Sequence, residues 1–415
     1  MACALAAWLQ PWSARAAAAD LDALDLKAEP EQPVPADKSS TRWFFEAAAG
    51  RISQRYGLES ESSSRVSADF FFSRPLAQGW RVTLSDRLDR VHPAPLDTDA
   101  TINTVREAYV SWQDEGASIY ADIGRINLRF GQGYGYNPTD FFRDGSQRNI
   151  TTPDPVALRE ARQGTAVLRG QRIWQGGSFA AIVSPKLADR PSGSGFSLDL
   201  GSTNNRDRAL LVLGQELREG INGQLLLYKS EGESLQWGAN VSALLGPSVV
   251  LHGEWSGGRE PTLAARAWGT GEERRAQRAV AGATWTSAGK LSITAEWMYN
   301  GFALSEAEWK QAAAGGIDRL GPYLLEAERR QDLASRKALL LYVQQKDIGM
   351  RGLDLTGFVR RNVQDQSRMS WVELRHRWSQ LELAVQFQQQ DGRSTTEFGV
   401  VPYRRSWQVV ASYRL

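Results

Sequence analysis

The stretch Arg405-Ser406-Trp407-Gln408-Val409-Val410-Ala411-Ser412-Tyr413-Arg414-Leu415 decides the fold. Trp407, Val409, Ala411, Tyr413 and Leu415 alternate with Ser406, Gln408, Ser412 and Arg414, and only Val410 interrupts the pattern. A period of two places one set of side chains on each face of a strand. One face is therefore aromatic and aliphatic and the other polar.

Working back from this stretch, segments of about ten residues with the same alternation recur along the chain. They begin with Arg42–Arg55, Ser64–Phe72 and Trp80–His92, and the last two are Gln380–Gln389 and Arg405–Leu415. Eighteen are counted. Connections after even-numbered segments are short and rich in Gly, Pro and Ser, as in 75–79, 114–116 and 246–247. The odd connections include the three longest, 131–163, 187–205 and 301–336. Short turns at one end and long loops at the other are the asymmetry of a bacterial membrane barrel. The fold expected is all-β: a transmembrane antiparallel β-barrel of about 18 strands with long extracellular loops.

Composition agrees. No apolar run approaches the ~18 residues of a membrane helix, and mean hydropathy is -0.41. A barrel needs no such run, because only alternate residues face lipid. The 15 Trp, 11 Tyr and 14 Phe suit interfacial girdles. Late strands specify their register clearly. Leu381, Leu383, Val385 and Phe387 read as a lipid face, with Gln380, Glu382, Gln386 and Gln388 toward the lumen. Leu291, Ile293, Ala295, Trp297 and Tyr299 face out in the same way, with Ser292, Thr294 and Glu296 facing in. Asp86 falls on the apolar face of its strand without an evident reason.

Residues 1–19 read as a signal peptide, 20–41 as a disordered periplasmic arm and 42–415 as the barrel. The single cysteine, Cys3, lies in the first of these, so neither disulfides nor thiol chemistry are expected of the barrel. With 49 basic against 47 acidic residues, no nucleic-acid surface is indicated. His92, His252 and His376 lack metal-ligand spacing, and no nucleophile elbow or phosphate loop is present. No catalytic residue, metal or cofactor is expected.

The candidate site centres on Gly124 to Phe142. A strand over Ala117–Phe130, re-aimed by a bulge near Asp122–Gly124, would turn Arg125, Asn127 and Arg129 into the lumen. The long loop that follows would fold inward as a constriction bearing Asp140, Arg143, Asp144, Arg159, Glu160 and Arg162. Phe141 and Phe142 favour this course because they need cover; the alternative is a loop solvated outside. Arg360, Glu373, Arg375, Arg377 and Arg414 would line the pore from later strands. In 301–336, Ser305 and Glu308 have capping-box spacing and Gly315 could end the helix, making a gate or a solvated surface feature.

The run from Gly124-Arg125 through Gly131 to Asn137-Pro138-Thr139-Asp140-Phe141-Phe142, with Asp154-Pro155, Leu158-Arg159-Glu160 and Thr396-Glu397-Phe398-Gly399, carries a resemblance. It resembles a group of uncharacterised Gram-negative, porin-like outer-membrane barrels; in barrel size the chain is also similar to alginate-export channels. Leu415 stands where such families commonly end in Phe. The resemblance implies a bacterial outer-membrane location and no assigned substrate; the barrel and its Arg-bearing wall lead to an expectation of passive passage of small polar solutes, with a preference for anions. The resemblance also implies outer-membrane lipid and lipopolysaccharide as surroundings, recognition of the terminal strand by the barrel-assembly machinery, and a homotrimer or a monomer. A polysaccharide-export or capsule-anchoring barrel is the alternative.

Overall fold

The computed structural model describes residues 40–94 and 99–415. The signal peptide and nearly all of the arm lie outside the described residues. The barrel begins two residues earlier than expected, because Ser40 and Thr41 already belong to the first strand. The strands in the first half are β1 Ser40–Gln54, β2 Glu61–Ala77, β3 Trp80–His92, β4 Thr101–Gln113, β5 Ile119–Ile126, β6 Thr165–Trp174, β7 Gly177–Ser184, β8 Arg208–Arg218 and β9 Ile221–Ser230. The second half comprises β10 Gln236–Leu245, β11 Val249–Pro261, β12 Glu273–Thr286, β13 Leu291–Asn300, β14 Lys337–Gln345, β15 Leu353–Asn362, β16 Arg368–Arg377, β17 Leu381–Asp391 and β18 Tyr403–Arg414. Among the described residues six helices sit in the connections: α1 Pro155–Glu160, α2 Leu200–Thr203, α3 Leu263–Trp268, α4 Glu306–Ala313, α5 Gly316–Arg329 and α6 Glu397–Val400.

Each strand pairs antiparallel with its sequence neighbours, and the terminal strand closes the ring on β1, from Phe44 opposite Arg414 to Gln54 opposite Tyr403. Closure leaves no sheet edge, the condition for spanning a bilayer with strands. Burial is inverted relative to a water-soluble protein. Along β17, Leu383 and Val385 are 40% and 54% exposed, whereas Glu382 and Ala384 are 5% and 1% exposed. The apolar outer face is the one expected for lipid contact. Val410 obeys the alternation after all: it points inward and packs on Ala48 and Ala384.

Two local expectations are corrected. The strand read as Ala117–Phe130 leaves the sheet at Ile126, so Arg129 stands in the loop and not on a strand. The β4–β5 register runs without a shift; the bulge is instead on β4, where the pairing of Ser85 with Glu107 is followed by Asp86 with Val105. Gly124 has φ +133°, and a Cβ there would lie 2.3 Å from the Ala108 carbonyl oxygen. Asp86 does face outward, and Asn103 on β4 answers it: with its amide nitrogen turned toward the carboxylate, the donors lie 3.1 and 3.2 Å away.

Replacing Val385 by Arg should destabilise the barrel by about 2–4 kcal/mol, the cost of a cation at mid-membrane on the lipid face. Urea titration of the protein refolded into lipid vesicles measures this. Gln386→Arg, on the lumen face, should cost far less; equal losses would contradict the assigned faces.

Candidate functional site: a cavity bounded by an inward loop

Residues 127–164 connect β5 to β6 by crossing the lumen to the opposite wall, where two buried carboxylates hold them. Glu254 on β11 accepts the backbone N–H groups of Gln132 and Gly133 through Oε1, each at 2.5 Å. The same oxygen accepts the Asn137 amide at 3.2 Å, and Oε2 accepts the Thr139 hydroxyl at 3.1 Å. Glu296 on β13 accepts Tyr134 N–H at 2.6 Å and Gly135 N–H at 2.9 Å. His252 on β11 lies 2.9 Å from Glu296 through Nε2. Consecutive backbone N–H groups converging on an anion form a nest, and here the barrel wall supplies the anion. The glycines are needed for approach: a Cβ at Gly131 would sit 2.2 Å from a Glu254 oxygen.

The apolar residues of the loop find cover inside. Phe141 stacks on Tyr228 at 4.6 Å, and Phe142, 2% exposed, lies under the Arg208 guanidinium. The loop therefore folds inward.

Its charged residues are partnered to one another and to the 301–336 connection. Asp140 is fully buried, with Arg162 at 2.5 Å and Arg159 at 3.9 Å. Arg159 also donates to the carbonyls of Phe130 and Gly131 at 3.1 and 3.2 Å. Asn127 donates to the carbonyls of Arg159 and Glu160 at the end of α1, while the Glu160 side chain itself is exposed. Burial and the neighbouring Arg159 push Arg162 down to about 10, against the opposing pull of Asp140.

Asp144 meets Arg206 at 2.6 Å and Arg329 and Arg330 at 2.8 Å each. Burial would raise its carboxyl, but these three arginines outweigh it and hold Asp144 well below the usual range. Asp332 takes Arg143 at 3.3 Å and Arg278 at 3.0 Å, and accepts the Tyr136 hydroxyl. These contacts clamp the end of α5 to the inward loop. The capping box at Ser305 and Glu308 forms and starts α4. That helix ends at Ala313, just before Gly315 as expected, but Gly315 also opens a second helix, α5, which the sequence reading missed.

Between the inward loop, α5, α6 and the wall from β14 through β18 to β3 lies a cavity of about 660 Å³. Of the expected pore residues, Arg143, Arg159, Arg162 and Arg360 line it. Arg360 is paired with Glu397 at 3.3 Å. Arg404 also lines it, at a bulge near the start of β18 where the pairing of Arg405 with Ser53 is followed by Tyr403 with Gln54, and forms no ion pair or side-chain hydrogen bond among the described residues. Sequence reasoning missed Arg404 because β18 begins at Tyr403, two residues before the expected start at Arg405.

Other expected residues lie elsewhere. Arg125 shares its register face with Ala108 and Ala166, on the outward side, and its side chain is tucked into the wall 3.5 Å from the Val105 carbonyl and from Thr203 Oγ1. It does not line the cavity. Arg129 is exposed in the loop. Glu373, Arg375, Glu382 and Arg414 form a chain of ion pairs of 2.6–2.8 Å toward the short-turn end of the wall. Arg377 there pairs with Asp354. The candidate residues thus split between the cavity, the wall seam and a paired cluster at the other end.

The chain is similar to OccAB1 of Acinetobacter baumannii, with 12% identity, a TM-score of 0.58 and coverage of 91% of this chain and 96% of the other. OpdL of Pseudomonas aeruginosa aligns at 10% identity, TM-score 0.57, over 91% and 99%. OccK5 (OpdH) of the same organism aligns at 11% identity, TM-score 0.55, over 91% and 98%. The chain has an outer-membrane porin fold. No family model and no curated protein sequence matches it.

In this porin-like barrel, Glu254→Ala should orphan two buried N–H groups, at about 1–3 kcal/mol each. Amide hydrogen exchange should then accelerate over residues 132–139 while the strands stay protected. Unchanged exchange there would contradict the pinning.

Proposed function

We propose that the protein is an outer-membrane channel for passive passage of small polar solutes, with a preference for anions. The observation that carries this is the cavity inside a closed barrel, bounded by a loop pinned across the lumen and lined by arginines that stay ionised at any physiological pH. Arg404 supplies the uncompensated charge, because the other named arginines of the lining already face carboxylates or carbonyls. In this reading the long connections face the exterior, outer-membrane lipid surrounds the barrel, and the terminal strand serves assembly. Residues 1–19 act as the secretory signal.

Conductance in planar bilayers tests it. The protein should give steady ohmic steps, with a reversal potential on the anion-selective side in a KCl gradient. Arg404→Glu should lower the chloride-to-potassium permeability ratio while leaving single-channel openings intact. A silent barrel, or a ratio insensitive to that substitution, would contradict the assignment.

A pH dependence follows from Asp154, the N-cap of α1, whose carboxylate lies 3.3 Å from the Tyr342 hydroxyl. Burial raises its carboxyl to about 6, with Glu373 and Glu160 adding to the rise. The folded protein therefore binds an extra proton between the ordinary value of 3.8 and about 6. Its contribution to stability is present below that window and is lost as pH rises through it. Anion preference should fall between pH 5 and pH 7 as Asp154 ionises beside the cavity. Asp154→Asn should keep the pH 5 preference at both values.

A further inference from the structure

Outside the lumen, the upper rim of β11 to β16 carries a row of outward-facing cations. Arg259 on β11 stands directly opposite Arg275 on β12, and Arg361 on β15 directly opposite Arg368 on β16. Lys337, at the start of β14, lies between these two pairs. All five are exposed. Like charges set directly across a sheet repel, so two such pairs on one rim are costly unless an anion joins them. Carboxylates answer only one member of each pair: Glu273 meets Arg259 at 3.0 Å and Asp391 meets Arg368 at 3.2 Å. Arg361 reaches only the Gln366 amide oxygen. Arg275 and Lys337 form no side-chain hydrogen bond or ion pair among the described residues.

The height of the Arg259–Arg275 end of this row is set by the aromatic residues below it, and Lys337 stands directly opposite Tyr299 at their upper edge. Trp255 and Tyr299 flank Ala279 in register on the outer face, and Trp297 stacks on Tyr299 at 5.9 Å. Such aromatics mark the boundary between hydrocarbon and headgroups. Arg259 lies four residues beyond Trp255 toward the long-loop end. At about 3.3 Å per residue on a strand tilted near 40°, that is roughly 10 Å along the membrane normal, at headgroup depth.

We propose that this arc binds the phosphate groups of a phosphorylated lipid in the leaflet at the long-loop end. The guanidinium pairs offer forked donors matched to phosphate, and the aromatic row below packs on its acyl chains. The inference rests on the barrel spanning a membrane, and it is independent of what the lumen conducts.

Binding of diphosphoryl lipid A to the detergent-solubilised barrel, followed by native mass spectrometry, tests this against a phosphate-free analogue and inorganic phosphate. Wild-type protein should retain the phosphorylated lipid and release the analogue. The double variant Arg275→Gln/Arg361→Gln should weaken binding by roughly tenfold or more. Arg74→Gln/Arg172→Gln, on the outer face at the short-turn end, should not. Heat-modifiable gel migration verifies folding, and Lys337→Gln provides a second, smaller reading on the same arc. Equal affinity for the phosphate-free lipid, equal loss in both double variants, or inorganic phosphate binding as tightly as the lipid would overturn the proposal. Ohmic conductance should be unchanged in Arg275→Gln/Arg361→Gln. A barrel that binds the lipid yet conducts nothing would count against the channel reading alone.

Discussion

Backbone hydrogen bonding in a medium without water is the constraint on which everything else depends. A strand facing hydrocarbon has no solvent to satisfy its N–H and C=O groups, so the sheet must close. Closure here is the pairing of β1 with the terminal strand, and it dictates the inverted burial of every strand between them. Once the outside is committed to apolar side chains, the polar half of each strand has to be accommodated inside. The interior is thus crowded with Arg, Glu, Asp and Gln that must find partners in a confined space. Glu46, Arg65, Arg87 and Asp89 form one such network on the first three strands, with contacts of 2.5 to 3.0 Å.

The inward loop is a second consequence of the same confinement. A connection entering the lumen carries backbone N–H groups into a space where water is limited, and it also needs a fixed position if it is to bound a cavity. Glu254 and Glu296 answer both requirements, because each carboxylate accepts two consecutive backbone N–H groups of the loop. An acceptor-only, charged group forms stronger hydrogen bonds than a neutral amide could. The α5 helix then closes over the loop through Asp144 and Asp332, so that two long connections become one packed body above the cavity.

The sequence disclosed the strands and their faces because period-two alternation is a local signal, legible within ten residues. It disclosed the inward loop through Phe141 and Phe142, whose need for cover is a composition argument. It could not disclose what holds that loop, since Gln132 and Glu254 lie 122 residues apart. Arg125 was misplaced for a related reason: a bulge near Asp122–Gly124 was expected to turn it inward, whereas the register there runs without a shift and the chain peels away at Ile126. The α5 helix was hidden by Gly321-Pro322 within it, local signals that oppose a helix. Burial of Leu320, Tyr323 and Ala327 against α3 and α4 overrides them.

This distribution of partners changes how an arginine-rich pore should be read. A count of lumenal arginines suggests a strong positive field, but pairing cancels most of it: Arg65 and Arg87 share Glu46, Arg162 faces Asp140, and Arg375 bridges Glu373 and Glu382. A paired arginine fixes the shape of the wall; an unpaired one biases the ions that pass. Charge selectivity in this barrel therefore rests on few side chains, and Arg404 outweighs the larger cluster because no carboxylate among the described residues answers it. The same distinction separates the lumen from the outer rim, where Arg275 and Lys337 keep their charge unanswered and face the membrane.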